Sequence, residues 1–313
     1  MTRWERCEQQ SGHDIWVVRN AWMEIKVVPA LGSKMISLKH LRTGREWLSE
    51  AAGPLGNKGY ATSFADSDGS GWDEMFPTIN ACTYPDHPWQ GTEMPDHGEV
   101  WSIPWQVEIA DERLSCHVHG VRLPYRLSKT YSFTEEQRLR IDYTVYNPSP
   151  FPLSFLWAAH PLFAVHEGME IIVPSELNEI VVSYSQHERL GQTGDVRSWP
   201  IPFEDHPEIC LHQVEAMTAG TAEKYYFRGE LPEGRAGLHD PSTGESLMMY
   251  FPVEQVPYFA VWANYGGYQG GYHVALEPAT GFLDDLSYAM KQGMAATVEA
   301  GGRYHWFLEV ELT

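Results

Sequence analysis

Alternation of apolar and polar residues runs along most of this 313-residue chain. Between Tyr125 and Phe133, large apolar residues occupy nearly every second position, and the same period returns from Leu139 to Val145 after the polar residues 134–137. Two such runs joined by a short turn predict a β-hairpin with one buried face and one wet face. The dominant local structure of this chain is therefore predicted to be the β-strand.

The same period recurs in other parts of the sequence. It is present in residues 34–41, in residues 107–109 and 114–118 around a polar turn, and in residues 304–312 at the C-terminal end. The best helical candidate is Leu283–Gln292, which Gly281 precedes and Gly293 follows. Many short strands with frequent turn signals favour an all-β antiparallel sandwich or barrel with few short helices. Since no linker or repeat divides the sequence, we expect residues 1–313 to form a single domain.

Composition limits the classes of partner. The chain is 43% hydrophobic and 13% aromatic, which excludes disorder. Its net charge of −20 repels nucleic acid and anionic membrane, and gives a phosphorylated substrate no long-range attraction. A neutral small molecule is the ligand that this charge favours, although acidity also serves solubility alone.

The sequence predicts a reduced, cytoplasmic protein that does not enter the membrane. The N-terminal residues are polar, no run approaches the ~18 apolar residues of a membrane helix, and the four cysteines form no C-x-x-C pair. No phosphate-binding loop, nucleotide fingerprint or H-E-x-x-H spacing is present. His117 and His119 share one strand face but have no third ligand near them in sequence. We expect neither a cofactor nor a metal.

His160 is one candidate for acid–base chemistry. It follows the apolar run 151–159 and precedes Pro161, so we expect it at the end of a buried strand, beside a rigid turn. Partial desolvation there lowers the pKa of an imidazole and suits it to proton transfer near neutrality. A core histidine satisfied by backbone groups would leave the same pattern.

Glu277 is the second candidate. It follows the predicted strand 272–276 and precedes Pro278. Burying a carboxylate in that position costs free energy unless the group is paired with a cation or has a role in function. A raised pKa would make Glu277 a credible general base. A salt-bridged carboxylate at a strand end remains the alternative.

Three further residues are candidates for binding a sugar. His97 lies in a polar loop with Gly98, and loops of this kind often hold ligands. Asp73 stands between aromatic residues, a mixture that suits the hydroxyls and the apolar face of a sugar. Trp262 offers an aromatic platform near a glycine pair. Exposed loop residues and ordinary packing would account for the same residues.

At these segments the chain resembles the aldose 1-epimerase, or galactose mutarotase-like, family. The matching segments are His97-Gly98, His160-Pro161-Leu162-Phe163 and Glu277-Pro278, in the family's order and at its spacing. The resemblance runs from about residue 25 to the C-terminal strand. It implies one large β-supersandwich with an open cleft on a concave sheet face.

The resemblance also implies roles for these residues. Glu277 would be the general base, His160 the general acid, and His97 a hydrogen-bond partner of the ring oxygen or a nearby hydroxyl. Two departures indicate a divergent member of the family. Trp101 stands where an arginine is expected, so that Asp73 would supply the polar contact. Lys224 lies near the position of a substrate-binding acid.

The sequence thus predicts an enzyme, an isomerase that interconverts the α and β anomers of a hexose or related sugar as a monomer or homodimer. A hexose-6-phosphate 1-epimerase is one alternative, which the charge of −20 disfavours and Lys224 and Arg228 keep open. A non-catalytic carbohydrate-binding or sensing protein on the same fold is another. A lyase or glycosidase is a third, since Asp73 and Glu74 provide further carboxylates.

Overall fold

The computed structural model describes residues 4–56, 59–110 and 112–313, and strands dominate it. In chain order, the strands of the first half are β1 (Glu5–Gln10), β2 (His13–Arg19), β3 (Met23–Val28), β4 (Lys34–His40), β5 (Trp72–Met75), β6 (Cys82–Thr83), β7 (Glu93–Met94), β8 (Gln106–Ala110), β9 (Arg113–His119), β10 (Arg126–Glu135), β11 (Arg138–Tyr146) and β12 (Leu153–Phe155).

The second half continues in the same way and contains an α-helix. Its elements are β13 (Ala158–Ala164), β14 (Glu170–Ile172), β15 (Glu179–Ser185), β16 (Val196–Ser198), β17 (Thr221–Phe227), β18 (Arg235–His239), β19 (Ser246–Tyr250), β20 (Tyr258–Tyr265), β21 (Tyr272–Ala279), α1 (Leu286–Gln292), β22 (Ala296–Val298) and β23 (Arg303–Leu312). Short 3₁₀ turns cover Phe64–Asp66, Val100–Ser102, Gln186–Glu188 and Met217–Ala219.

Two large sheets organise these strands. The first has eleven strands in the order β1-β2-β3-β4-β5-β13-β21-β20-β17-β15-β16, and the second has eight in the order β14-β18-β19-β23-β11-β10-β9-β8. The paired strands run antiparallel. The prediction of an all-β antiparallel supersandwich with few short helices is confirmed.

The hydrophobic core lies between the two sheets. Along β11 and β23, buried and half-buried residues alternate, and the register places Leu139 beside Val310 and Ile141 beside Leu308. This one-sided burial is the physical origin of the period-two pattern in the sequence. The predicted hairpin around residues 134–137 is formed by β10 and β11.

A buried polar group connects the two sheets inside this core. The Glu74 carboxylate, on β5 of the first sheet, accepts hydrogen bonds from Lys129 Nζ (3.1 Å) and Tyr143 Oη (2.9 Å) of the second. Trp157 Nε1 also donates to it, at 2.9 Å. Burial raises the pKa of Glu74, although Lys129 opposes the rise. These contacts satisfy a charge that would otherwise be costly in the core.

The predicted helix is present but shorter than expected. It begins at Leu286, not at Leu283, because Leu283 has a φ of +63° and Asp285 caps the first turn by accepting from the Tyr288 N–H at 3.1 Å. Gly293, with a φ of +71°, ends it. No helix in the described part of the chain has the length and apolar character that crossing a bilayer requires.

Candidate active site

His160 and Glu277 lie on adjacent strands in the middle of the eleven-stranded sheet. His160 is on β13 and Glu277 on β21, and their Nε2 and Oε1 atoms are 4.0 Å apart. The expectation that each residue follows the end of its strand is wrong, since both strands continue past it, through Pro161 and Pro278.

The two prolines explain this difference. The ladder between β13 and β21 joins Ala158 to Ala279 and resumes only at Leu162 and Ala275. Proline has no N–H to donate to a ladder, so the hydrogen bonding is interrupted beside His160 and Glu277 while the strands continue. The prolines that resemble strand ends in the sequence therefore mark a gap in the hydrogen-bond ladder between β13 and β21.

Strand register aligns a row of five residues, four of them polar, on one face of this sheet. His160 pairs with Asp73 on β5, and Glu277 pairs with Ala260 on β20, which in turn pairs with Tyr226 on β17. We call the row formed by these five residues, which holds the candidate acid and base, the catalytic row. Because side chains on a strand alternate between faces, residues paired in this way project from the same face.

Lys224 and Asp284 form an ionic network with Glu277. Lys224 Nζ lies 2.7 Å from Glu277 Oε2 and 2.9 Å from Asp284 Oδ1. Asp284 also accepts from Tyr226 Oη at 2.8 Å and from the Ser183 hydroxyl. Burial raises the pKa of the Glu277 carboxyl, and Lys224 opposes that rise. Burial lowers the pKa of Lys224, but Asp284 and Glu277 outweigh it, so its pKa is raised and it stays charged.

His160 is almost completely buried. Its exposed fraction is 5%, and within the described residues its Nδ1 has no hydrogen-bond partner. Burial, followed by the charges of His97 and Lys224, holds the pKa of His160 well below its usual value of 6.5. The sequence predicted this direction of the pKa shift, which favours the neutral form of the imidazole.

Asp73 lies on the other side of His160. Its carboxylate is buried and 3.2 Å from Lys34 Nζ, which also contacts Asp68 at 2.6 Å. Asp73 Oδ2 is the oxygen that pairs with Lys34, whereas Oδ1 has no hydrogen-bond partner within the described residues. Burial raises the pKa of Asp73 to about 6, although the positive charge of Lys34 opposes the rise. Buried polar atoms without partners are rare, and a line of them on one face is typical of a site that binds a polar ligand.

His97 approaches this row from a loop. Its Nδ1 lies 2.8 Å from Asp96 Oδ1, and its ring centroid is 5.2 Å from that of His160. Gly98, with a φ of +71°, passes so close to the Phe76 carbonyl that any side chain would clash there. That close approach explains the His-Gly pair in the sequence.

Phe64 lies across both imidazoles. Its ring stacks on His97 with centroids 4.3 Å apart and meets His160 edge-on at 4.8 Å. The Phe64 segment, residues 59–69, is anchored by Tyr60 Oη donating to Glu99 at 2.6 Å and by the Phe64 N–H donating to Asp96 at 2.8 Å. This segment covers the histidines and contributes to their desolvation.

The other predicted residues take different positions. Trp262, on β20, pairs in register with Lys224, and its Nε1 donates to His273 Nε2 at 3.1 Å. Trp101 is buried, donates to the Asp96 carbonyl at 3.2 Å and contacts Phe64 edge-on. It supports the His97 loop and does not take the place of a substrate-binding arginine.

Sequence reasoning missed Asp284, Phe64 and Asp96. Asp96 adjoins His97 inside the quoted loop motif, so an acid beside a candidate histidine was an available signal. Asp284 adjoins the helix cap Asp285 and resembles a capping residue in the sequence. Nothing local to Phe64 indicates that it reaches the histidines, since it belongs to a distant loop.

The described residues contain no group of three or more His, Cys, Asp or Glu side chains placed to hold a metal ion. Two surface hollows, of about 290 and 340 Å³, lie elsewhere and are not lined by the residues of the catalytic row.

The comparisons with known proteins agree with the observed fold. The family model for aldose 1-epimerase matches residues 80–252. No curated protein sequence matches the chain.

Solved structures share the fold at low identity. A galactose mutarotase-like protein from Lactobacillus casei is 17% identical, with a TM-score of 0.69 over 96% of this chain and 100% of that one. One from Clostridium acetobutylicum is 12% identical, with a TM-score of 0.69 over 100% and 98%. A galactose mutarotase related enzyme from Lactobacillus acidophilus is 13% identical, with a TM-score of 0.68 over 96% and 97%.

Proposed function

We propose that this chain, which belongs to the aldose 1-epimerase family, interconverts the α and β anomers of an unphosphorylated aldose. The observation that carries the proposal is the 4.0 Å approach of His160 Nε2 and Glu277 Oε1 on one face of the sheet, beside buried polar atoms that lack partners. An acid and a base so placed can act on two neighbouring oxygens of one sugar ring.

The reaction follows from these two groups. Glu277 takes the proton of the C1 hydroxyl while His160, as imidazolium, gives a proton to the ring oxygen. The C1–O5 bond breaks and leaves an open-chain aldehyde. Rotation about C1–C2 presents the other face of the carbonyl, and ring closure returns both protons. Each group contributes roughly 10²–10⁴-fold, which suffices for a reaction that already proceeds unaided.

Lys224 and Asp284 regulate the basicity of Glu277 in this proposal. Lys224 keeps the buried Glu277 carboxylate ionised, because without a cation its raised pKa would favour the protonated form. Asp284 shares the same ammonium group and so limits how far Lys224 weakens the base. His97 and Asp73 would hold sugar hydroxyls on either side of His160.

The pairing of the site's cations supports a neutral substrate over a sugar phosphate. Lys224 lies between two carboxylates, and so does Lys34. Arg228 is more than half exposed and pairs with Glu179 at 2.9 Å. Binding a phosphate would require a cation with uncompensated charge to offset its desolvation.

The test is a polarimetric screen of freshly dissolved α-anomers, including glucose and galactose, with and without a 6-phosphate. We expect catalysed mutarotation of at least one neutral aldose and a kcat/KM lower by at least about tenfold for its 6-phosphate. A sugar that raises Tm with no faster mutarotation would identify a binding protein instead. Preference for the phosphates would establish the phosphosugar alternative.

A further inference from the structure

A second row of side chains lies next to the catalytic row on the same face of the sheet. Register joins Tyr184 on β15 to Lys224 on β17, Lys224 to Trp262 on β20, and Trp262 to Ala275 on β21. Trp262 is two residues from Ala260 of the catalytic row, a separation of about 7 Å along the strand. We refer to the second row as the shelf row.

Three aromatic rings of this region form a shelf beside the site. The Trp262 ring lies 5.8 Å from Tyr184 and 5.7 Å from Tyr268, between centroids. Tyr184 is 41% exposed and Tyr268 is 40% exposed, values high for large rings and unlike the buried catalytic row. The aromatic shelf, Tyr184, Trp262 and Tyr268, thus presents apolar ring surface to solvent at the edge of a polar site.

Hydrogen bonds hold this shelf in place. The Trp262 indole donates to His273, which fixes the plane of its ring. Asn264 accepts from the Tyr268 N–H at 3.0 Å and donates to the Tyr268 carbonyl at 2.9 Å, so the loop carrying Tyr268 is anchored at both groups. Fixed aromatic rings bind a ligand with little loss of conformational entropy.

The position of the shelf indicates how a substrate extends. Phe64, His97 and His160 lie on the β13 side of Glu277, where Phe64 covers the two imidazoles. Trp262 and Tyr184 lie on the opposite side of Glu277, on β20 and β15, and the Tyr268 loop next to them meets the Phe64 segment where Gln269 Nε2 donates to the Ala65 carbonyl at 3.3 Å. A ligand longer than one ring would therefore continue across the shelf.

We infer that the aromatic shelf binds a second sugar ring, so that the substrate is a reducing oligosaccharide whose reducing-end ring lies between His160 and Glu277. This inference rests on the proposed function. Sugar rings place their apolar C–H face on aromatic side chains, and the rim hydroxyls remain in water. Lys224, in the same row, is already paired with Glu277 and Asp284, which favours an uncharged ring there.

The test compares glucose with maltose, cellobiose and lactose, which share a glucose reducing end. We expect at least one disaccharide to have a kcat/KM about tenfold above that of glucose. Tyr184→Ala and Tyr268→Ala should each lower the ratio of disaccharide to glucose kcat/KM severalfold, and together about tenfold. Ile109→Ala is the control, since Ile109 is similarly exposed (41%) but lies on β8 at the edge of the other sheet. It should leave the ratio unchanged.

Calorimetric titration of Glu277→Gln separates this inference from the proposed function. Tighter binding of a disaccharide than of glucose, lost in the double tyrosine variant, supports the shelf even if no sugar is turned over by the unmodified protein. Equal affinity for glucose and all three disaccharides, or an equal loss of both in the double variant, overturns it. Disaccharide binding without catalysed anomerisation would count against the proposed function alone.

Discussion

At the scale of single residues, the acid and the base have pKa values shifted toward each other. Burial holds the pKa of His160 below 6.5, and burial raises that of Glu277 above 4.5. The reactive form pairs a charged Glu277 with a protonated His160. That form is therefore most populated at acidic pH, and the two groups titrate as a pair.

The pH dependence of kcat/KM tests this arrangement. We expect activity to fall as pH rises above 6.5, because His160 loses its proton at a pKa below that value. It should also fall at low pH as Glu277 becomes protonated, at an apparent pKa above 4.5. Between pH 7 and pH 8 the decline should approach tenfold, once the uncatalysed rate at each pH is subtracted.

A constant kcat/KM from pH 6.5 to 8 would contradict a protonated His160 as the acid. His97 would then be the better candidate, because its Nδ1 lies 2.8 Å from Asp96 Oδ1, which fixes the orientation of the ring beside His160. Asp96→Asn distinguishes the two candidates for the acid. It should lower activity more if His97 is the acid than if His160 is.

At the scale of segments, the Phe64 segment creates the low polarity around His160. Phe64→Ala should raise the pKa of His160 toward 6.5, because water would reach an imidazole that is now 5% exposed. The measurement is an NMR titration of the histidine ring. Phe151→Ala, at an exposed ring that contacts His87 and Trp89, is the control and should change nothing at His160. An unchanged pKa in Phe64→Ala would show that the sheet alone desolvates His160.

The elements also show what local sequence can predict. The hairpin of β10 and β11 follows directly from alternation, because each strand has one face in the core. Pro161 and Pro278 were misleading, since each resembles a strand exit when read alone. Only the pairing of β13 with β21 shows that they leave a shared gap in the ladder. Phe64 and Asp284 were missed because their partners are distant in sequence.

At the scale of the whole molecule, the Glu74–Lys129 ion pair connects the two sheets. Lys129→Met would leave the Glu74 carboxylate buried and uncompensated. We expect the free energy of unfolding to fall by about 3–5 kcal/mol, measured by urea denaturation. The double variant Lys129→Met with Glu74→Gln should recover part of this loss, since it removes the unpaired charge. A loss below about 1 kcal/mol in the single variant would contradict this role for the pair.

The molecule as a whole was more predictable than its site. Turn residues and alternating hydrophobicity indicate a large antiparallel β fold, because every strand that buries one face in the core shows this alternation. A single domain over residues 1–313 stays a prediction. The site depends on which of many strands are neighbours, and no local pattern encodes that order. Local sequence indicated His160 and Glu277 as candidates, and the resemblance gave them roles. Only the folded sheet shows that Asp73 pairs in register with His160 and that Lys224 forms an ion pair with Glu277.

The most direct test of the central claim is the rate of anomer exchange in Glu277→Gln, measured by polarimetry on a fresh α-aldose that the unmodified protein accepts. We predict a rate reduced by at least about 10²-fold, with a Tm close to that of the unmodified protein and with sugar binding retained. A variant that keeps near-normal exchange would contradict Glu277 as the base, and with it the mechanism proposed for this site.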